Sequence, residues 1–515
     1  MRRIIRSTGI VAASTIASRI LGLARDMLMA SLFSATAATD AFYAAFRIPN
    51  LFRRLVSEGV LTISFIPVYM EYLANTERKR ALDLAQKILT LLLVSAAVLV
   101  AACMIFAPEV VRIIVRGFDD PSQVRLTVVM MRIMLPYLLM LAALAFCMGV
   151  LNSHNYFFAP AFALALLNVG IIAGILFFSR FFPEPLYGVC AGVLFGGLLQ
   201  ILLQIPYMAR SGFKVRMSID LKHPGLRRVI KLAIPGAFSM GIQQINILIA
   251  TMLGSYLAPG SISYIFFSDR LSELVMGIVA VSIGNAVLPE MSSLSVERNY
   301  RKLADICLFS IRSVLFIAVP AALALMIIGF PIISVLLMHN RFTAFDAEMT
   351  YRALLYGSMG IASFAVNRIT VPALYALHDP RTPFYAACAS LIINPVCGWF
   401  LMRSSLEHAG LTLSISIAST VQMMVLIWAL RKKIGAAAFR EIGRPVLKYI
   451  MAGCVMGAVI WYLAGSIDWK TAAFMKRLAY LAAAVASGAI AYLAACYAMG
   501  VGEVRYFIGR IIKRN

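Results

Sequence analysis

The 515-residue sequence contains few charged residues, and acidic residues are the scarcest of them. Only 14% of its residues are charged and 61% are hydrophobic, whereas soluble domains carry about 25% charged and about 45–50% apolar residues. A soluble core of this chain length could not hide so much apolar surface. The composition therefore excludes a soluble globular protein and predicts an all-α integral membrane protein with lipid as its main solvent.

The sequence also lacks the patterns of catalytic and metal sites. Its eight cysteines form no CxxC pair, and its five histidines show no zinc-ligand spacing. It contains no phosphate-binding glycine loop and no nucleophile elbow. Asp119 and Asp120 have no second acidic cluster in their loop to complete a metal site. We therefore expect no enzymatic activity, no metal and no cofactor.

Apolar segments long enough to cross a bilayer as a helix, about 20 residues, recur along the whole chain. They predict about fourteen transmembrane helices, of which the second is interrupted at Pro49-Asn50. The predicted spans are 8–33, 39–74, 84–107, 126–151, 158–179, 186–209, 232–255, 262–293, 303–327, 347–377, 383–402, 408–430, 446–466 and 478–500. The first is interrupted by Arg19 and Arg25 and has no cleavage site after it, so we expect a retained helix.

Basic residues outnumber acidic ones, 47 against 23, and their distribution predicts the orientation of the chain. An even number of spans places both termini on one side of the membrane. If that side is cytoplasmic, the inner loops hold 27 Lys and Arg residues and the outer loops hold nine. This bias predicts a multi-pass protein of the bacterial cytoplasmic membrane with both termini in the cytoplasm. The outer loop 467–477 is the one segment that opposes the bias.

Similar residues recur at an offset of 222–226 positions, which predicts an internal duplication. The matched pairs are Arg47 and Arg270, Pro67 and Pro289, His154 and His378, Asn168 and Asn394, Gly188 and Gly410, and Gln200 and Gln422. The duplication predicts an N-terminal lobe of six spans over 1–212, a C-terminal lobe of six spans over 213–435, and two additional spans with a cytoplasmic tail over 436–515. Lobes with an even number of spans share one orientation, and carriers of this kind bind substrate between their lobes.

Ten arginines lie within the predicted spans, where only five acidic residues accompany them. The arginines are Arg19, Arg25, Arg47, Arg53, Arg54, Arg132, Arg270, Arg312, Arg352 and Arg368, and the acidic residues are Asp26, Asp40, Glu58, Asp269 and Glu273. Each charge at mid-bilayer costs roughly 2.5–3.5 kcal/mol, so these side chains must pair, reach the headgroups or face water. The surplus of guanidinium groups indicates a hydrated cavity for an anion, and the planar guanidinium suits phosphate.

Several charge-rich runs identify a family resemblance. They are SRILGLARD (18–26), TDAFYAAFRIPNLFRRLVSEG (39–59), FIPVYMEY (65–72), SDRLSELVMGIVAVSIGNAVLP (268–289) and RFTAFDAEMTYRAL (341–354). The chain resembles, nearly end to end, the MurJ/MviN family of lipid II flippases. The resemblance implies the fold of the multidrug/oligosaccharidyl-lipid/polysaccharide exporter superfamily. It also implies a central cationic cavity for an undecaprenyl-pyrophosphate headgroup, with a groove on the last two spans for the lipid tail.

The motifs carry the family's site residues onto this sequence. The resemblance implies substrate binding by Arg19, Arg25, Asp26, Arg53, Arg54 and Arg270, and a charge-balancing or gating role for Asp40, Glu58, Asp269 and Glu273. Some family members bind sodium through a carboxylate on the seventh span. The span 232–255 has no acidic residue here, only Gln243, Gln244 and Asn246 as larger polar groups. We therefore expect no sodium coupling, and membrane potential is the alternative driver.

Two other transport functions remain open on the sequence. A flippase for another polyprenyl-pyrophosphate-linked oligosaccharide, such as an O-antigen precursor, would need the same cationic site. A multidrug cation antiporter would need an acidic site, which the charge balance disfavours. The expected partners are lipid II or a similar anionic polyprenyl lipid, membrane lipids and the cell-wall synthesis machinery, with no nucleic acid.

Overall fold

The computed structural model describes residues 2–55, 61–213, 216–218, 220, 222–297 and 300–504. Within these residues every regular element is helical, which confirms the all-α prediction. The helices are α1 (Arg2–Phe33), α2 (Ala37–Leu55), α3 (Leu61–Asn75), α4 (Arg78–Ile105), α5 (Ala107–Ile114), α6 (Pro121–Met134), α7 (Tyr137–Ser153), α8 (Phe158–Leu176), α9 (Pro185–Arg210), α10 (Pro224–Gly254), α11 (Ser261–Val296), α12 (Tyr300–Leu336), α13 (Ala344–Ser358), α14 (Ile361–Ala376), α15 (Arg381–Leu401), α16 (His408–Ile434), α17 (Ala436–Ala464) and α18 (Phe474–Ala498). A 3₁₀ turn, Phe178–Phe181, follows α8.

Each predicted span coincides with one helix or with two consecutive helices. The spans 126–151 and 347–377 are each divided into two helices, α6 and α7, and α13 and α14. The span 39–74 contains α2 and α3, and residues 56–60 between them lie outside the described ones. The interruption predicted at Pro49-Asn50 is wrong, because α2 continues through Pro49 to Leu55. Nine candidate spans in the described part of the chain are long and apolar enough to cross a membrane. The arginine-bearing helices α1, α2 and α11 are not among these nine, and the side chains of residues 2–8 of α1 and 278–290 of α11 lie outside the described ones. The count of about fourteen transmembrane helices therefore stays a prediction.

Helix α12 bends within the apolar stretch that follows the predicted span 303–327. Ile328 has non-helical dihedral angles, φ −107° and ψ 20°, three residues before Pro331. Proline has no N–H to donate, and its ring collides with the carbonyl group four residues earlier. The bend therefore lies where Pro331 disrupts the hydrogen bonding, and α12 continues beyond it to Leu336.

The chain forms two compact units, Met1–Ile262 and Ser263–Asn515. In unit 1, helix α10 packs against α2, α3, α4 and α5. The predicted lobe boundaries at residues 212 and 435 stay a prediction. The compact units are defined by contacts in the structure, whereas the lobes are defined by a repeat in the sequence, so the two divisions need not coincide. Residues 505–515 of the predicted cytoplasmic tail lie outside the described residues.

Glycines allow the closest helix packing in unit 1, between α8 and α9. A Cβ atom added at Gly170 would lie 2.3 Å from Cα of Gly196, and one at Gly192 would lie 2.6 Å from the Gly170 carbonyl oxygen. Gly170 and Gly174 on α8, and Gly188, Gly192 and Gly196 on α9, recur every four residues. Small residues at this spacing let transmembrane helix backbones approach directly.

The corresponding helix pair in unit 2, α15 and α16, also has a close approach at a glycine, which resembles the one at Gly188. A Cβ atom at Gly188 of α9 would lie 2.3 Å from the backbone nitrogen of Ser179. A Cβ atom at Gly410 of α16 would lie 2.6 Å from the carbonyl oxygen of Leu401. Both glycines stand near the start of the second helix; Gly188 lies against the 3₁₀ turn that follows α8, and Gly410 lies against the last residue of α15. Their similar environments support the sequence pairing of Gly188 with Gly410.

Unit 2 also contains the two additional helices that lie outside the predicted duplication, α17 and α18. Helices α17 and α18 pack against α12 through the rings of Phe316, Tyr449 and Tyr492. The Phe316 ring lies 5.6 Å from Tyr449 and 5.4 Å from Tyr492. The Tyr492 hydroxyl donates a 2.7 Å hydrogen bond to the Phe316 carbonyl oxygen. The additional helices are thus joined to unit 2 by a buried aromatic cluster.

Arg477 belongs to the predicted outer loop 467–477, which opposes the charge bias. Its side chain is buried at the start of α18, and Nη1 donates a 2.9 Å hydrogen bond to the Ser334 carbonyl oxygen. Ser334 lies in the last turn of α12, where carbonyl groups have no partner within the helix. Arg477 therefore donates to a backbone carbonyl at the end of a helix, which is a structural role for this charge.

Candidate functional site

Arg25 on α1 is held by two other side chains of unit 1. Its Nε and Nη2 donate hydrogen bonds of 2.9 Å and 2.7 Å to Oδ1 of Asp26, and its Nη1 donates one of 3.0 Å to Oδ1 of Asn168 on α8. Asn168 in turn donates from Nδ2 to the Ser18 carbonyl oxygen at 3.0 Å. Only 11% of the Arg25 side chain and 8% of the Asp26 side chain are exposed. The guanidinium is therefore held in one orientation.

The bonding of Arg25 leaves donor capacity for an anion. A guanidinium carries five N–H donors, and Arg25 uses three of them on Asp26 and Asn168. Among the described residues it makes no other hydrogen bond. One N–H on each of Nη1 and Nη2 can thus meet a phosphate oxygen. Asp26 and Asn168 fix the group in place, which lowers the entropy that an incoming anion must remove.

The two arginines near the end of α2 are both half-buried. Nε of Arg53 donates a 3.1 Å hydrogen bond to Oδ1 of Asn50, one turn earlier. Arg54 lies beside it in the same last turn. Glu58, four residues after Arg54 and therefore a possible partner on the same helix face, lies outside the described residues, so its predicted role in charge balance stays a prediction.

Asp40, predicted to balance charge or gate the site, is bonded to the backbone of a turn in unit 1. It is 2% exposed, and its Oδ2 accepts a 2.7 Å hydrogen bond from the backbone nitrogen of Gly260. Gly260 has φ +95°, a value that favours glycine. The carboxylate thus helps to hold the turn after α10 against the start of α2, a contact that the sequence did not predict.

Arg270 is the predicted substrate-binding residue of unit 2. Its Nη1 lies 2.7 Å from Oε2 of Glu273, one turn later on α11, as side chains three residues apart on a helix can. The guanidinium also lies over the Phe266 ring, 4.7 Å from the centroid. The Arg270 side chain is 25% exposed and that of Glu273 is 50% exposed, so this pair is more open than Arg25 with Asp26. Asp269 is exposed.

Arg19 and Arg25 share α1 but have different surroundings. Arg19 is half-buried and, within the described part of the chain, forms no hydrogen bond or ion pair. Since Arg25 is fixed by Asp26 and Asn168, the two predicted site residues of this helix differ in how far they are preorganised.

Three arginines outside the predicted site have ordinary structural partners. Arg132 donates to the Met104 carbonyl oxygen at 3.2 Å, and Arg352 donates to that of Ser405 at 2.8 Å. Nε of Arg312 lies 3.6 Å from the buried carboxylate of Glu503. Arg25 and Arg270 differ from these three because each pairs with an acidic side chain of a family motif, Asp26 and Glu273 respectively.

The sequence did not assign a site role to Asn168, Asn50 or Phe266, which contact the predicted arginines. A weak signal existed for Asn168, because it is a polar residue in an apolar span and is paired with Asn394 in the duplication. Nothing in the spacing of Asn50 or Phe266 marked them. The described residues contain no group of three His, Cys, Asp or Glu side chains that could hold a metal ion. The side chain of Gln243 lies outside the described ones.

Comparisons with known proteins agree with the motifs. The family described as "Lipid II flippase MurJ" matches residues 29–480. A "Probable lipid II flippase MurJ" from Buchnera aphidicola subsp. Acyrthosiphon pisum is 32% identical over 96% of this chain and 98% of its own length. One from Bdellovibrio bacteriovorus is 34% identical over 98% of this chain and 96% of its own length.

A solved structure extends the similarity to the fold. The structure titled "Lipid II flippase MurJ, inward closed conformation" superposes with a TM-score of 0.79 at 23% identity, covering 95% of this chain and 98% of that one. At this identity the superposition establishes the fold alone. The family match over most of the chain and two relatives above 30% identity establish the relationship by sequence. The chain therefore belongs to the MurJ family of lipid II flippases.

Proposed function

We propose that this protein moves lipid II, or a closely similar polyprenyl-pyrophosphate lipid, from the cytoplasmic to the periplasmic leaflet by alternating access. The observation that carries this proposal is Arg25, a guanidinium only 11% exposed and fixed by Asp26 and Asn168, in a family named for this transport. Both relatives described above are named lipid II flippases. The neutral and cationic substrates of other exporters would gain nothing from surplus guanidinium groups.

The arginines bind the pyrophosphate, and their carboxylate partners keep that binding reversible. Arg25, Arg53 and Arg270 donate hydrogen bonds to phosphate oxygens, for which the guanidinium geometry is suited. Asp26 and Glu273 already lie 2.7 Å from two of these guanidinium groups and compete for their donors. A transporter must release its substrate, so competition of this kind prevents binding that is too tight. No covalent bond of the lipid changes.

The direct test is growth of a flippase-depleted bacterium supplied with variants of this chain. Arg25→Ala, Arg53→Ala and Arg270→Ala should each fail to restore growth, with lipid II remaining in the inner leaflet. Arg132→Ala is the matched control, because its partner is a backbone carbonyl outside the site, and it should restore growth. If all three site variants, inserted at normal levels, sustained growth and outer-leaflet lipid II, the proposed site would be wrong.

The transmembrane potential drives transport in this proposal. A pyrophosphate headgroup carries negative charge, and moving it out of a negative cytoplasm releases about 2.3 kcal/mol per charge for each 100 mV. An ionophore that collapses the potential should therefore slow the appearance of lipid II in the outer leaflet. Replacing sodium by potassium in the medium should leave the rate unchanged. A transport rate that depended on the sodium concentration and not on the membrane potential would contradict this coupling.

A further inference from the structure

The family motif RFTAFDAEMTYRAL (341–354) has no role in the site described above. The structure shows that it starts α13 with a capping box: the Thr343 hydroxyl accepts from the backbone nitrogen of Asp346 at 3.2 Å, and Oδ2 of Asp346 accepts from the backbone nitrogen of Thr343 at 2.8 Å. Oδ2 also accepts from the Thr343 hydroxyl at 2.7 Å. Capping requires only this one oxygen of the carboxylate.

The second carboxylate oxygen of Asp346 serves another helix. Oδ1 accepts a 2.8 Å hydrogen bond from the hydroxyl of Tyr264, near the start of α11. Asp346 is 8% exposed and Tyr264 is 5% exposed, so the bond is buried. Buried hydrogen bonds to a charged acceptor are stronger than bonds between neutral groups.

Two ring contacts complete the attachment of α11 within unit 2. The Tyr264 ring lies 5.4 Å from the His408 ring, and the Phe267 ring meets Phe342 edge-on at 5.7 Å. Phe267 is 1% exposed and Phe342 is 2% exposed. We call Phe342, Asp346 and His408 the α11 anchor.

The anchored part of α11 lies directly before the site residue Arg270. Arg270 follows Phe267 by three residues and Tyr264 by six, which is about 4.5 Å and about 9 Å along a helix. A helix turn is rigid over these lengths, so the rotation and height of α11 at the anchor set where the Arg270 guanidinium points. Two of the contacts of Arg270 are with residues of α11 itself, Phe266 and Glu273.

The duplication places a similar attachment in unit 1. At the offset of 223 that relates Arg47 to Arg270, Gln123 corresponds to Asp346. Gln123 is the third residue of α6, as Asp346 is of α13, and its Nε2 donates a 2.9 Å hydrogen bond to the carbonyl oxygen of Ala37 at the start of α2. In each unit, therefore, the start of an arginine-bearing helix (α2 or α11) forms a hydrogen bond with the third residue of the corresponding helix (α6 or α13).

We propose that Asp346 and Tyr264 are positioning residues that fix the orientation of Arg270 for substrate binding. This inference rests on the proposed function, because it assigns Arg270 a role in transport. The carboxylate of Asp346 touches no substrate; it acts through Tyr264 and the first turns of α11. Gln123 has the equivalent task for α2.

The test compares two variants that each delete one tyrosine hydroxyl. Tyr264→Phe removes the bond to Asp346 and keeps the ring contact and the capping box. Tyr351→Phe is the matched control, because its hydroxyl bonds the Met326 carbonyl oxygen at 2.6 Å in the same unit but does not reach α11. Transport of fluorescently labelled lipid II is measured with full-length protein in liposomes. Tyr264→Phe should lower the initial rate about threefold to tenfold, and Tyr351→Phe should change it less than about twofold.

A second measurement is independent of transport. In an Arg270→Cys background, alkylation of residue 270 by a maleimide is followed by mass spectrometry of the modified peptide. Adding Tyr264→Phe should change the alkylation rate by about threefold or more, and adding Tyr351→Phe should leave it unchanged. Equal alkylation rates in the two double variants would overturn the positioning role, even if transport by Tyr264→Phe were reduced. If the unmodified protein moved no lipid II, the proposed function would fail, and the alkylation rates would still decide whether the anchor positions residue 270.

Discussion

At the scale of single residues, the arginines are accommodated by short polar partners close to them. A charge within the bilayer is costly unless it is paired or hydrated. Arg25 meets this requirement with Asp26 and Asn168, and Arg270 with Glu273. Because aspartate and asparagine have short side chains with few rotamers, they hold a guanidinium at little entropic cost. The residues that pair with the arginines are therefore as important for the site as the arginines themselves.

Asn168 provides the test at this scale. Asn168→Ala removes the acceptor for Nη1 of Arg25 and the donor to the Ser18 carbonyl oxygen. The loss should destabilise the protein by about 1–3 kcal/mol and should also reduce lipid II transport, because Arg25 gains orientational freedom. Thermal unfolding of the purified protein and the depletion-rescue growth assay measure the two effects.

Asn367→Ala is the matched control for Asn168→Ala. Both asparagines are 8% exposed, and Asn367 donates from Nδ2 to the carbonyl oxygen and the hydroxyl of Ser419, with no bond to an arginine among its described contacts. It should lose a similar amount of stability and retain transport. If the two variants transported equally well at equal protein levels, Asn168 would have only a structural role.

At the scale of helices, the glycine faces of α8 and α9 set their separation. Gly192→Val would place a side chain where a Cβ atom already lies 2.6 Å from the Gly170 carbonyl oxygen. Since the obstacle is backbone, the helices must separate, and we expect a destabilisation of at least about 1–3 kcal/mol. The expected result is less folded protein in the membrane fraction and a lower melting temperature.

Gly9→Val on α1 is the control for this helix contact, because a Cβ atom at Gly9 has no atom within 4 Å. It makes the same chemical change at an open position and should alter the folded yield little. Equal yields of the two variants would show that the α8–α9 contact tolerates separation. Asn168 lies on α8 near Gly170, so separation should also disturb the Arg25 contact.

At the scale of the whole molecule, the chain is a multi-pass bacterial membrane protein of two units, and its orientation is a proposal. With both termini cytoplasmic, Lys470 lies outside and Lys432 lies inside, and both are exposed. In intact cells Lys470→Cys should react with a membrane-impermeant maleimide, whereas Lys432→Cys should react only after permeabilisation. The opposite pattern would reverse the orientation, and the outer loop 467–477 would then fit the charge bias.

The all-helical class, the positions of most helices and the surplus of arginine could be read from the amino-acid sequence. These are local or compositional properties, since a helix that crosses lipid needs a run of apolar residues of fixed length. Breaks within spans were harder to predict: Pro136 and Gly360 precede α7 and α14, whereas Pro49 lies inside the continuous helix α2 and does not interrupt it. The motifs also sufficed for the family, because charged residues in an apolar chain are unusual enough to be specific.

Which side chains meet depends on the packing of the helices. Asn168 reaches Arg25 across 143 positions, and Asp346 reaches Tyr264 across 82. No local pattern specifies such contacts, because they depend on how distant helices pack. Packing also brings the Asp40 carboxylate to the backbone nitrogen of Gly260, and it brings the Arg477 guanidinium to the Ser334 carbonyl oxygen at the end of α12. The sequence could count the charges in the membrane, but their partners depend on distances that exist only after the helices have assembled.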